Sequence, residues 1–241
     1  MNSLIYKLKS KLFRQTKYPE IEKVGGLANA INFEFEKLNS ALKVAVDEHY
    51  DEIPVTYAKV EKGNKFSQIY IATEEKLYLP DFWLDGVCLA HGSIASLSDL
   101  AQAVHYWLTQ KVTTQELSER FNFVQPNGKA EAFDKNKEVE YTWMSLVSED
   151  DSLGLKEFID LASTDELLNK LFPYTSLSTL CFSKCTGFPF DTTDLPNVTP
   201  IEYMHFSLPN ITSDYAKLRQ VAYVPNGKLY VVRLKLVAAK L

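Results

Sequence analysis

The sequence predicts an α+β protein with antiparallel sheets and with helices segregated from strands along the chain. Two observations carry this: β-rich segments run consecutively before residue 95 and return after residue 176, and helical apolar spacing dominates between them. The 241 residues admit either one compact unit or two α/β modules packed together. The expected boundaries are an N-terminal module over 1–125, a linker or loop over 126–136 and a C-terminal module over 137–241.

Residues 1–17 interleave Lys7, Lys9, Lys11, Arg14 and Lys17 with Leu4, Ile5, Leu8, Leu12 and Phe13, and no acid occurs before Glu20. That pattern is a basic amphipathic helix, able to touch an anionic membrane but more commonly packed on its own domain. From Pro19 to about Ser40, Ile21, Val24, Leu27, Ala28, Ile31, Phe35 and Leu38 mark a buried helical stripe, which Gly25-Gly26 would divide in two. Val55–Val60, Lys65–Ala72, Lys76–Leu84 and Val87–Ser93 then form an antiparallel meander, its clearest joint the two-residue hairpin signal Asp85-Gly86. Ser96 to Asp99 and Thr113 to Glu116 each open a helix with a capping-box pattern. Pro126, Asn127, Gly128 and several charges make Gln125–Lys137 read as a loop.

Three helices follow: one with Val139, Trp143, Leu146 and Val147 on one side, one with Leu155, Phe158, Ile159 and Ala162, and one capped at Ser163–Glu166 that ends before Pro173. Strands are expected at Leu177–Ser183, Ile201–Ser207, Lys217–Val224 and Lys228–Val237, the last pair joined through Asn226-Gly227.

A formal net charge of -5 argues against a general affinity for nucleic acid. Three cysteines, Cys88, Cys181 and Cys185, imply no disulfide framework and fit a reducing, cytoplasmic setting. No run of 18 apolar residues is present to span a membrane, and no secretory signal is expected.

No catalytic, cofactor-binding or metal-binding set emerges from spacing. Cys181 and Cys185 have no matching pair elsewhere, and Cys88 and His91, three apart on one strand, are expected on opposite faces and therefore unable to chelate together. His49 lies in an acidic run that lacks the alternating donors and glycine of a calcium loop. His105 and His205 have no identifiable orienting acid, and no nucleophile elbow or phosphate-cradling glycine loop occurs.

What remains is recognition of a protein partner. Asp47, Glu48, Asp51, Glu52, Glu149, Asp150 and Asp151 would steer a basic partner, and Phe188 and Phe190, bracketing Pro189 in a loop, would anchor it. The plainer readings are solvated acidic loops and phenylalanines tucked into their own sheet.

Trp83 to Gly92 followed by the helix through Trp107-Leu108, the Trp143 helix, and Leu167 to Ser176 continuing through Ser183 together resemble an uncharacterised bacterial family labelled as a natural product biosynthesis protein. The resemblance runs roughly from Phe82 to Phe190 and brings no catalytic residue with it. The general make-up is also similar to that of toxin-neutralising immunity proteins. Together these imply a non-enzymatic module that binds a cognate toxin, or, as the alternative, an accessory factor or cryptic enzyme in a biosynthetic cluster.

Overall fold

The structure, a computed structural model, describes residues 17–44, 56–149, 154–200, 218–223 and 230–235. The chain divides into two compact units between Asp134 and Lys135. Antiparallel sheets and segregated helices make the class α+β. The expected helix over 1–17, the acidic positions 47–52, 150 and 151, His49, His205, the strand at 201–207 and the Asn226-Gly227 turn lie outside the described residues, save Lys17 at the edge.

In the first unit, Gly25 and Gly26 both take positive φ and split the expected helix into α1 (Pro19–Lys23) and α2 (Leu27–Lys37). The meander forms as β1 (Tyr57–Lys62), β2 (Lys65–Ile71), β3 (Tyr78–Leu84) and β4 (Val87–Gly92), with Asp85 and Gly86 at φ 49° and 75° as a two-residue hairpin requires. Ser96 accepts from the Asp99 amide to start α3 (Leu97–Thr109), and Thr113 with Glu116 closes a reciprocal capping box on α4 (Thr114–Arg120). The strand order is β1-β2-β3-β4-β5, with β5 at Val124–Pro126.

One face of this sheet carries Ala58, Val60, Ile69, Tyr78 and Phe82 into a core with α2 and α3, where Phe82 meets Trp107 edge-on at 6.2 Å. Tyr18 is fully buried, and its hydroxyl ties down the β2–β3 connection through the carbonyls of Ala72, Glu75 and Leu77 and the amide of Leu77. Next to it Glu20 accepts from Tyr78 at 2.6 Å and pairs with Lys76 at 2.6 Å.

The segment expected as a linker is instead structured and belongs mostly to the first unit. Ala130–Asp134 forms a helical turn, α5, whose Ala130 and Phe133 bury Leu89. The Asp134 carboxylate accepts from the Thr114 amide at 2.9 and 3.0 Å, the Thr114 hydroxyl at 2.6 Å and the Gln115 amide at 3.2 Å. One of its acidic residues, Asp134, thus caps a neighbouring helix.

In the second unit, α6 (Glu138–Ser148) and α7 (Lys156–Ala162) pack Trp143, Leu146, Phe158 and Ile159 against Leu180, Phe182 and Val198. The third expected helix is absent. Asp165 accepts from the amides of Leu167 and Leu168, both at 2.9 Å, and supports a single 3₁₀ turn at Leu168–Lys170. Trp143 Nε1 then takes the Leu171 carbonyl at 3.1 Å, and the chain turns extended ahead of Pro173. Phe172–Ser176 is therefore a strand, β6, which sequence spacing did not reveal. It pairs with β7 (Thr179–Ser183) and is followed by β8 (Asn197–Pro200), β9 (Leu218–Tyr223) and β10 (Tyr230–Lys235) in the order β6-β7-β8-β10-β9.

Candidate functional site

Two surface features bring chemically distinctive side chains together, one in each unit. The first lies on the face of the first sheet opposite to its core. Counting back from the Asp85-Gly86 turn in a regular ladder would set Asp81 opposite Ala90. The observed pairs are Trp83 with Cys88, Phe82 with Ala90 and Asp81 with His91, so Leu89 is an extra residue on β4.

This bulge overturns the expectation that Cys88 and His91 face opposite ways. Both project from the outer face, with Cys88 Sγ 3.9 Å from each imidazole nitrogen of His91, and His91 Nδ1 is 2.8 Å from Asp81 Oδ1. Asn127 holds the bulge in place. Its amide donates to the Leu89 carbonyl at 2.8 Å and its side chain to the Cys88 carbonyl at 2.7 Å, serving acceptors that Pro126, without an N–H, cannot reach from β5.

The thiol, imidazole and carboxylate offer donor atoms all within 4.8 Å of one another. Cys88 and Asp81 are half-buried while the His91 side chain is 61% exposed, so the cluster is open to solvent. Burial, and then the Asp81 carboxylate, push the Cys88 thiol up to about 11, against a smaller opposite effect of Lys129. A thiol so raised is protonated at neutral pH and is a poor nucleophile. The cluster therefore differs from an activated Cys–His pair, in which the thiolate is favoured and an imidazole nitrogen is aimed at sulfur.

The second feature is built on β6. Phe172 and Tyr174 alternate with buried Pro173 and so share the face turned away from the helices. The loop after β7 folds back, Lys184 N donating to the Asp191 carbonyl at 2.9 Å and Ser183 Oγ bonding to the Cys185 carbonyl at 2.7 Å. It lays Phe190 on Tyr174 at 4.2 Å, stacked, and 5.7 Å from Phe172. Phe188 stands edge-on to Phe190 at 6.0 Å and is 71% exposed. Within the same loop the Cys185 thiol is lowered from its usual range by the Ser183 hydroxyl and the Asp191 amide.

Of the residues expected to bind a partner, Phe188 and Phe190 thus come together, the first exposed and the second half-buried as its support. Glu149 is exposed at the end of α6 and accepts from Ser145 Oγ at 3.3 Å. Asp47, Glu48, Asp51, Glu52, Asp150 and Asp151 are not among the described residues.

Two clefts accompany these features. One of about 640 Å³ runs beside α6 and is lined by Trp143, Met144, Lys137, Lys170, Asn169 and Ser163 among others. The other, about 330 Å³, holds His105 with its Nδ1 2.9 Å from Ser40 Oγ. Ser40 Oγ also accepts from the Leu42 amide.

Residues 137–222 match the model of a family described as a family of unknown function (DUF6193). The match includes the aromatic stack on β6 and its loop, and it overlaps the earlier resemblance over 137–190. No curated protein and no solved structure matches the chain.

Proposed function

We propose that the chain is a non-enzymatic protein-binding module that neutralises a cognate bacterial toxin, as immunity proteins do. The observation that supports this reading best is Phe188, 71% exposed on a stack of aromatic side chains rooted in β6. An aromatic ring held out on rigid neighbours loses little conformational entropy when a partner covers it, which is the character of an interface anchor. The net charge of -5 complements a basic partner and would speed its approach.

The test is purification of the chain with the protein encoded beside it, comparing the unaltered chain with Phe188→Ser. The reading expects a stable complex that weakens by roughly 30-fold or more in the variant, as loss of an anchor residue does. Equal binding by both chains removes Phe188 from the interface, and absence of any complex removes the reading. Replacing Asp47, Glu48, Asp51, Glu52, Glu149, Asp150 and Asp151 by their amides should slow association at low salt, and an unchanged rate excludes steering by those residues.

The second reading, an accessory factor or cryptic enzyme of a biosynthetic cluster, draws support from the Ser40–His105 contact in its cleft. Labelling of Ser40 by a phosphonylating probe, lost in His105→Ala, would favour it.

A further inference from the structure

We propose that Asp81, Cys88 and His91 form a binding site for a divalent transition-metal ion of the zinc class, with coordination left open to water. This goes beyond the partner-binding reading and involves residues of the first unit only.

The donor set points to the metal. A thiol, an imidazole and a carboxylate combine soft, borderline and hard ligands, a mixture that suits zinc and cobalt and not the all-oxygen preference of calcium or magnesium. The spacing also fits. Bonds of about 2.3 Å to sulfur and 2.0–2.1 Å to nitrogen and oxygen, at tetrahedral angles, set donors roughly 3.3–3.6 Å apart. The observed 2.8 Å from His91 Nδ1 to Asp81 Oδ1 and 3.9 Å from His91 to Cys88 Sγ bracket that range, and with all three donors within 4.8 Å of one another, side-chain adjustments of up to about an ångström close the site.

Preorganisation agrees with this. The ligands sit on paired strands, not on a free loop, and the bulge that aligns Cys88 with His91 is fixed by the two Asn127 hydrogen bonds. A regular strand would send one of these side chains into the apolar core. The irregularity therefore has a use that packing of Leu89 alone does not explain.

The alternative use of a thiol, imidazole and carboxylate, nucleophilic catalysis, fits the geometry less well. Sulfur is equidistant from both ring nitrogens at 3.9 Å, so neither is aimed at it as a general base would be.

The experiment is titration of the full chain with cobalt(II) in a non-thiol reductant, read by thiolate-to-cobalt charge-transfer absorption. One equivalent should bind. The absorption should persist in Cys181→Ser with Cys185→Ser, vanish in Cys88→Ser, and require at least about tenfold more cobalt in His91→Gln and in Asp81→Asn. All three ligands lie on the solvent side of the sheet, so circular dichroism should show the variants folded. As a second measurement, zinc should protect Cys88 selectively from alkylation, located by mass spectrometry. The proposal is overturned if no absorption develops, if it survives Cys88→Ser, or if His91→Gln leaves the titration unchanged. None of these readouts involves a protein partner, so the metal site and the binding function fail separately.

Discussion

Replacing Asp134 by Ala should destabilise the first unit by about 3 kcal/mol. The carboxylate receives three donors, the Thr114 amide and hydroxyl and the Gln115 amide. Hydrogen bonds to a charged acceptor contribute about 1.5–3 kcal/mol, and a buried donor left unpaired costs about 1–3 kcal/mol. Thr114 is 1% exposed, so water cannot readily replace the lost acceptor. The contributions share one carboxylate and do not add, which keeps the total near 3 kcal/mol instead of a multiple of it. Asp134→Asn retains one acceptor oxygen and should lose about half as much. Urea unfolding followed by tryptophan fluorescence measures this cleanly in a Trp143→Phe background, where the remaining Trp83 and Trp107 both report on the first unit. With a urea dependence of roughly 1.5 kcal/mol/M, the midpoint should fall by about 2 M. A fall of less than about 0.3 M would mean that 126–134 behaves as a linker after all and would refute the capping argument.

Two pH effects follow from ionisable groups in the same unit. Burial works to raise Glu20, but hydrogen bonds from Lys76 and Tyr78 outweigh it and hold the carboxyl below its usual range. Its contribution is therefore present above the unfolded-state pKa and is lost as pH falls through the folded-state value, so Glu20→Gln should flatten the acid limb of urea midpoint against pH. Lys65 donates to the Val112 carbonyl at 2.8 Å with its ammonium 3.7 Å from the Trp107 ring, and burial lowers it to about 8, against the opposing pull of Asp134 and Glu116. The unfolded chain holds this proton more tightly than the folded one, so stability should rise from about pH 8 toward the unfolded-state pKa. Lys65→Met should remove that rise, and an unaltered alkaline slope would show that Lys65 titrates normally.

Much of the fold was legible because local chemistry dictated it. Asp85-Gly86 could adopt the positive φ of a two-residue hairpin, and Thr113 with Glu116 could satisfy each other's backbone amides, whatever the rest of the chain did. The aromatic character of Phe188 and Phe190 was equally visible, although the stacking of Phe190 on Tyr174, with Phe188 edge-on to Phe190, depends on how the loop closes. Other features depended on distant partners. The hairpin between β6 and β7 turns at Leu177, which holds φ 54° with its side chain 95% exposed, and no glycine or asparagine announces such a turn. Pro126, Asn127 and Gly128 looked like loop punctuation, yet Asn127 anchors β4. Strict alternation across Cys88, Leu89, Ala90 and His91 predicts opposite faces for the thiol and the imidazole and so hides the cluster on the outer face. Two adjacent buried residues, Leu89 and Ala90, break that alternation and were the available sign of a bulge.

The extra residue at Leu89 is what brings Asp81, Cys88 and His91 together, and cross-strand disulfide formation tests it directly. In a background of Cys88→Ser, Cys181→Ser and Cys185→Ser, the Asp81→Cys, His91→Cys pair should oxidise readily, since directly opposed residues lie about 4.5–5.5 Å apart at Cα, within the range a disulfide accepts. The Asp81→Cys, Ala90→Cys pair should remain reduced under the same conditions. Oxidation of the second pair in preference to the first would mean that β3 and β4 run in regular register, and the site would not exist.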